Sequence, residues 1–125
     1  MSTGAAPISL SITADPRLAR LVRMTAANVA TLSSMSVDRV EDIRMAAEEA
    51  FIYACSVQPH EALSVTFDVD EAHVSMTFGL AGTSVQDAEP AGEAAYADLI
   101  LGTVCDTYEK IDDPASLVLT LKADV

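Results

Sequence analysis

The chain contains few of the residues that mark several specialised protein classes. Its 125 residues include two cysteines, five glycines, five prolines and no tryptophan, and half of them are apolar. This composition excludes an intrinsically disordered, collagen-like or proline-rich linker protein. No apolar run reaches the roughly 20 residues of a transmembrane helix, and the first residues lack the pattern of a signal peptide. The sequence therefore predicts one cytoplasmic domain over residues 1–125, with no membrane contact.

Residues that bind metals are also scarce and scattered. Cys55 and Cys105 are far apart in the chain, and only His60 and His73 are available to join them in a zinc site. We therefore predict no bound metal. The two cysteines are expected to be buried thiols in a reducing compartment.

The chain contains few basic residues. Seven Lys and Arg residues against nineteen Asp and Glu residues give a formal net charge of −12, which disfavours nucleic-acid binding. Residues 1–47 sum to +1 and residues 48–125 to −13. This asymmetry favours protein partners or self-association, unless it is an accident of a small sample.

Apolar periodicity predicts an α+β fold. Strands are predicted at 8–13, 63–69, 74–78, 108–111 and 117–121, and helices after Asp15-Pro16, from Ser36 to about 56, and from 94 to about 107. This order predicts a two-layer α/β sandwich, with about three helices on one face of a mixed, mostly antiparallel sheet. The segment 79–92 is a loop of the length that often carries function.

The three predicted helices differ in their apolar faces. In the first, we expect a buried face of Leu18, Leu21, Val22, Thr25, Val29 and Leu32, opposite the exposed Arg17, Arg20 and Arg23. The core residues predicted for the third helix are Leu99, Ile100, Val104 and Cys105.

The second helix has two apolar stripes. The first consists of Val40, Ile43, Ala47, Phe51 and Ala54, and the second, formed by Met45, Ile52 and Tyr53, flanks Glu49. A helix that rests on one sheet needs a single stripe. The second stripe must therefore cover another element, a ligand or a partner.

Several segments resemble the serine-kinase anti-sigma factors. These segments are Ala14-Asp15-Pro16, Leu21-Val22-Arg23, residues 40–50 and the tail over 106–122. This family consists of small bacterial members of the GHKL superfamily, which also contains histidine kinases, gyrase and Hsp90. The resemblance implies a sandwich fold, Mg-ATP as cofactor and control of transcription by partner switching. The implied partners are a sigma factor or an anti-anti-sigma protein, and a homodimer is a further possibility.

Two of the family's ATP-binding positions hold unsuitable residues here. The resemblance places Glu49 at the catalytic base and Tyr53 at the asparagine that binds Mg²⁺. A protonated phenol is a poor ligand for a hard cation. Thr77 or Phe78 stands where the family has the aspartate that binds adenine, and neither can replace a carboxylate as hydrogen-bond acceptor.

The phosphate-binding loop is altered as well. Ala95 and Ala97 stand where the family has glycines, and the nearby Asp98 would repel a triphosphate. Gly79, Gly82 and Gly92 remain as further positions of the degenerate cleft. The resemblance therefore implies a relative that has lost ATP and Mg²⁺, so that we expect no cofactor.

We expect a regulatory protein that acts by protein–protein binding and has no kinase activity. The predicted partner-binding residues are Arg17, Arg20, Arg23, Met45, Ile52 and Tyr53. Two alternatives stay open: an active ATP-dependent serine kinase with Glu49 as base, or a protein that binds an uncharged small molecule in a cleft lined by Ile52 and Phe78.

Overall fold

The computed structural model describes residues 8–80, 95–112 and 115–124. Within these residues, five strands and three α-helices form an α+β fold, which confirms the predicted two-layer α/β sandwich. The strands are β1 (Ile8–Thr13), β2 (Ala62–Val69), β3 (His73–Gly79), β4 (Thr107–Ile111) and β5 (Ser116–Lys122). The helices are α1 (Ala19–Ala30), α2 (Val37–Val57) and α3 (Ala97–Val104), and a 3-10 turn (Pro16–Leu18) precedes α1.

The sheet has the strand order β1-β2-β3-β5-β4, and each of its four pairings is antiparallel. Side chains alternate between its two faces. The face beneath the helices holds the buried apolar residues of the three central strands: Leu63, Val65, Phe67, Val74, Met76, Phe78, Leu117, Leu119 and Leu121. The opposite face carries hydroxyl groups, and Ser75 and Thr120 are hydrogen-bonded there at 2.9 Å between their oxygens.

Polar caps set the start of the first two helical segments, as the sequence predicts. The Asp15 carboxylate accepts a hydrogen bond from the backbone N–H of Arg17 at 3.0 Å, and Pro16 occupies the first position, where no N–H is needed. Hydrogen bonds from Arg17 lower the pKa of Asp15 to about 2. Ser36 caps α2 by accepting a hydrogen bond from the N–H of Arg39 at 3.1 Å.

The buried face of α1 differs from the predicted one. Its buried residues are Val22, Ala26, Val29 and Ala30, whereas Leu21 and Leu32 are 49% and 62% exposed. Val22 and Val29 are buried as predicted. The prediction was wrong for Leu21 and Leu32, because it followed the large apolar side chains. α1 packs on α2, whose residues Ala46, Ala47 and Ala50 are fully buried, so small side chains on both helices fill the interface.

α3 is shorter than predicted, and its predicted core residues are only partly confirmed: Cys105 is buried and Val104 packs against the core, as predicted. Leu99 is 70% exposed, while Ala97 and Leu101 are fully buried. The helix ends at Val104 because Cys105 adopts an extended backbone conformation that leads into β4. The predicted loop over 79–92 lies outside the described residues from position 81 onward.

No helix of the described ranges has the length and apolar character needed to cross a membrane.

Candidate functional site

Tyr53, at the position that the family resemblance assigns to a Mg²⁺ ligand, lies in the protein core. Its side chain is fully buried, and its hydroxyl group has no hydrogen-bond partner within the part of the chain that the structure describes. The Lys110 ammonium group lies 4.9 Å from the centroid of its ring. This part of the second stripe of α2 therefore covers an element of the same chain. The prediction that Tyr53 contacts a partner protein was wrong, because no part of its side chain reaches the surface.

The other residues that the resemblance assigns to the ATP cleft do not lie together. Phe78 is fully buried on the helix-facing side of β3, while Thr77 faces the opposite side of the sheet. Gly79 ends β3, and a Cβ atom there would come within 2.7 Å of the Ser64 Oγ. Glu49 is partly buried on α2 and makes contacts of its own. Gly82 and Gly92 lie outside the described residues.

A partly buried polar cluster lies beside Tyr53. We define the α3–β4 cluster as Asp98, Tyr108 and Lys110. Asp98 accepts hydrogen bonds from the Tyr108 hydroxyl at 2.7 Å and from the Lys110 ammonium group at 2.6 Å. Asp98, predicted to repel phosphate, is thus neutralised by a cation of its own chain.

Burial and hydrogen bonds to Asp98 together shift the pKa values of Tyr108 and Lys110. Burial raises the pKa of Tyr108 well above the ordinary value, and the hydrogen bond to Asp98 raises it further. Burial alone would lower the pKa of Lys110, but the hydrogen bond to Asp98 and the adjacent Tyr53 raise it overall. Tyr108 is therefore a neutral phenol and Lys110 a charged ammonium group at neutral pH, and their hydrogen bonds to Asp98 tie α3 to the edge of the sheet.

A groove lined by arginines runs along the surface of α1 and α2. We call it the α1–α2 groove; its volume is about 360 Å³. It is lined by Arg20, Arg23, Met24, Ala27, Thr31, Val40, Glu41 and Arg44. Two of the residues predicted for partner binding, Arg20 and Arg23, are therefore brought together, and Arg44 and Met24 join them without having been predicted.

The three arginines of the α1–α2 groove differ in their partners. Arg44 is bonded to Glu41 at 2.8 Å, and Arg23 to Glu48 at 3.1 Å. The Nε atom of Arg23 is buried and has no hydrogen-bond partner among the described residues. Arg20 is exposed and makes no ion pair with any residue of the described ranges. Of the three arginines, Arg20 therefore offers donors that an incoming acceptor can use.

The remaining predicted partner residues lie elsewhere. Arg17 is 88% exposed and forms an ion pair with Asp15 at 2.7 Å, but it does not line the groove. Met45 is 45% exposed on α2, and Ile52 is only partly exposed. Met45 is thus an exposed apolar residue of α2 that does not line the α1–α2 groove with the arginines.

A second, larger groove of about 690 Å³ lies where β1, β2, β3 and β5 meet at one end of the sheet. Its lining is uncharged and includes the hydroxyl-bearing Ser11, Thr13, Ser64, Thr77 and Ser116. Neither Ile52 nor Phe78, the residues predicted to line a small-molecule cleft, belongs to it.

The described residues contain no group of three or more His, Cys, Asp or Glu that could hold a metal ion. Cys55 and Cys105 are buried and free, as predicted, and burial raises the pKa of each thiol to about 11. No protein-family model matches the chain, and no curated protein is significantly similar to it.

Proposed function

We propose that the chain is a cytoplasmic regulatory protein that binds other proteins in the manner of an anti-sigma factor, without phosphorylating them. The observation that carries this proposal is the α1–α2 groove. It concentrates three of the seven basic residues of a chain with net charge −12. Arginine is enriched at the centres of protein interfaces because its planar guanidinium group binds carboxylates in fixed geometry.

Exposed apolar side chains beside these arginines support the same proposal. Leu21 and Met24 of α1 are each 49% exposed. Met adapts its shape to irregular surfaces, and an apolar patch beside cationic groups suits a segment that is acidic on one side and apolar on the other. The proposed partner, a sigma factor or an anti-anti-sigma protein, would therefore present carboxylates to the groove.

Reversing one charge in the groove tests this proposal. Arg20→Glu is expected to weaken binding to the partner about 10- to 100-fold, because it replaces an available cation with an anion opposite carboxylates. Titration calorimetry against the sigma factors and anti-anti-sigma proteins of the same host measures the effect. Arg17→Glu is the matched control, since Arg17 lies on the same segment but outside the groove. Equal affinity of Arg20→Glu and the unaltered protein for a bound sigma factor would contradict the assignment of the groove.

The proposal that the chain does not bind nucleotides rests on the residues at the positions that the resemblance assigns to ATP binding. Tyr53 is buried without solvent access, and Phe78 offers no acceptor for an adenine amino group. Lys110, the cation near these positions, is already paired with Asp98. With these contacts, Tyr53 offers no ligand for Mg²⁺. This favours a protein that binds its partners without phosphorylating them.

Mg-ATP is accordingly expected to leave the melting temperature unchanged. A ligand present at 100 times its Kd would add about 2.7 kcal/mol to the free energy of unfolding, which corresponds to a rise of roughly 10 °C in the melting temperature of a domain of this size. Differential scanning calorimetry with and without millimolar Mg-ATP measures the shift, and Mg²⁺ alone is the control. A rise produced by Mg-ATP but not by Mg²⁺ would favour the alternative of an active kinase.

A further inference from the structure

The sulfur atoms of the chain differ in their access to solvent, and this decides which of them an oxidant reaches. Cys55 and Cys105 are buried, and burial raises the pKa of each thiol to about 11. Peroxides react with the thiolate and not with the thiol, so neither cysteine is an open target at neutral pH. A thioether carries no proton that must be lost first. Exposed methionines are therefore the sulfur atoms that react most readily.

Two of the methionines that the structure describes are open to solvent. Met24 of α1 and Met45 of α2 are each about half exposed, whereas Met76 is fully buried and Met35 packs partly against the core. Met24 lines the α1–α2 groove, and Met45 does not. Within the described ranges, Met24 is thus the methionine whose oxidation changes the α1–α2 groove directly.

Met24 lies one helical turn from Arg20. Both residues belong to α1, at positions i and i+4, and both line the α1–α2 groove. Side chains at this spacing are neighbours on a helix surface, with Cβ atoms about 5–6 Å apart. Arg20 is exposed and forms no ion pair within the described ranges, whereas Arg23 and Arg44 are each paired with a glutamate. Arg20 can therefore donate to an acceptor placed at position 24.

We propose that hydrogen peroxide oxidises Met24 to its sulfoxide, and that the sulfoxide oxygen accepts a hydrogen bond from Arg20 and weakens binding in the α1–α2 groove. In this step the peroxide transfers one oxygen atom to the Met24 sulfur: an S–O bond forms, the O–O bond breaks and water leaves. The sulfur loses two electrons, and the peroxide gains them. The effect on binding rests on the proposed function, whereas the oxidation and the bond to Arg20 do not.

The sulfoxide changes the α1–α2 groove in two ways. A thioether is a weak acceptor that contributes apolar contact area, whereas a sulfoxide is polar. Its oxygen engages the guanidinium group of Arg20, which the proposed function assigns to a carboxylate of the partner. It also adds a polar group to the exposed apolar pair of Leu21 and Met24. Because methionine sulfoxide reductases restore the thioether, the change is reversible.

Peptide mass mapping after brief treatment with hydrogen peroxide tests the oxidation step. We expect one added oxygen at Met24 and one at Met45, at similar rates, while Met76 and both cysteines of the folded protein stay unmodified. Oxidation of Met76 or of a cysteine before Met24 would overturn the inference.

Nuclear magnetic resonance of the arginine Nε–H groups tests the bond to Arg20. Met45→Leu is used as the background, so that the oxidation of Met24 is observed without that of Met45. Peroxide should shift the Arg20 resonance and slow its exchange with water, and should leave the Nε–H of Arg17, which is bonded to Asp15, unchanged. An Arg20 resonance that does not respond when Met24 is fully oxidised would overturn the inference, whether or not a partner protein is bound.

Titration calorimetry against the sigma factor or anti-anti-sigma protein that the unaltered chain binds tests the effect on the groove. After oxidation and removal of the peroxide, Met45→Leu should bind about tenfold more weakly than before, as expected for the loss of one hydrogen bond of a charged group. A methionine sulfoxide reductase should restore the affinity. The affinity of Met24→Leu should be the same before and after peroxide. Met24→Gln, which places an amide oxygen at this position, should bind more weakly than Met24→Leu without any oxidant.

Equal losses of affinity in oxidised Met24→Leu and oxidised Met45→Leu would overturn the inference and place the sensitive residue elsewhere. Failure of both the reduced and the oxidised protein to bind any of these partners would contradict the proposed function instead. In that case the mass map and the Arg20 resonance still decide whether Met24 is oxidised and bonded to Arg20.

Discussion

Replacing Tyr53 with asparagine is expected to lower the free energy of unfolding by about 3–5 kcal/mol, the cost of removing a large aromatic side chain from a core. The substitution restores the residue type that the resemblance implies for Mg²⁺ binding. It nevertheless exchanges a fully buried ring for a shorter amide and leaves a cavity beneath Lys110. We therefore expect no detectable Mg-ATP binding by the variant.

The physical reason is that the core packs around the phenol. The Lys110 ammonium group lies over the ring of Tyr53 and is bonded to Asp98. An amide at position 53 cannot provide the same contact with the cation, and its polar atoms would be buried with few partners. A nucleotide would further require the adenine acceptor that Phe78 does not provide.

Urea denaturation and titration calorimetry measure the two parts of this prediction. Tyr53→Phe is the matched control, because it preserves the ring and removes only a hydroxyl that forms no hydrogen bond with the described residues. We expect it to be as stable as the unaltered protein, or more stable by about 1 kcal/mol. A Tyr53→Asn variant that keeps full stability and binds Mg-ATP would show that this single position had blocked the nucleotide site.

The sheet could be predicted from the sequence because its signal is local. In β2 and β3 the alternation of apolar and polar residues directly reports which side chains face the helices, and the predicted bounds of these strands differ from the observed ones by one residue at most. The cap residue Ser36 marked the start of α2 in the same local way.

The helix faces could not be predicted equally well, because they depend on distant elements. The burial of Ala26 and Ala30 in α1, rather than of Leu21 or of Leu32 just beyond the helix, follows from the small side chains of α2. Nothing within α1 itself shows that its neighbour is rich in alanine at the contact. A search for paired small residues on both helices would have indicated it.

The candidate sites show the same division. The i, i+3 spacing of Arg20 and Arg23 was visible in the sequence, whereas Arg44 reaches the α1–α2 groove from another helix. The pairing of Asp98 with Lys110 spans twelve residues and depends on the register of β4. Lys110 lies opposite Leu117 on the helix-facing side of the sheet, where an apolar residue is expected. A lysine at such a position was the available signal for an acidic partner within the fold.

Arg39 provides the prediction with the second large effect, because its guanidinium group joins three parts of the fold. It donates to Asp106 at 2.7 Å, to the Lys122 carbonyl at 2.8 Å and to Asp42 at 3.0 Å. These bonds connect the first turn of α2 to the start of β4 and to the end of β5. Only 16% of the Arg39 side chain is exposed, so water can replace few of these bonds.

Arg39→Ala is therefore expected to lower the free energy of unfolding by about 2–3 kcal/mol, since hydrogen bonds of charged groups contribute about 1.5–3 kcal/mol each and exposure of the carboxylates reduces the sum. Arg39→Lys should recover less than half of this loss, because an ammonium group cannot span three acceptors in different directions. Arg44→Ala is the control: its pair with Glu41 is an exposed contact within one helix and contributes about 0.5 kcal/mol or less. Urea denaturation compares the three variants, and an Arg39→Ala protein no less stable than Arg44→Ala would show that these bonds do not hold α2 to the sheet.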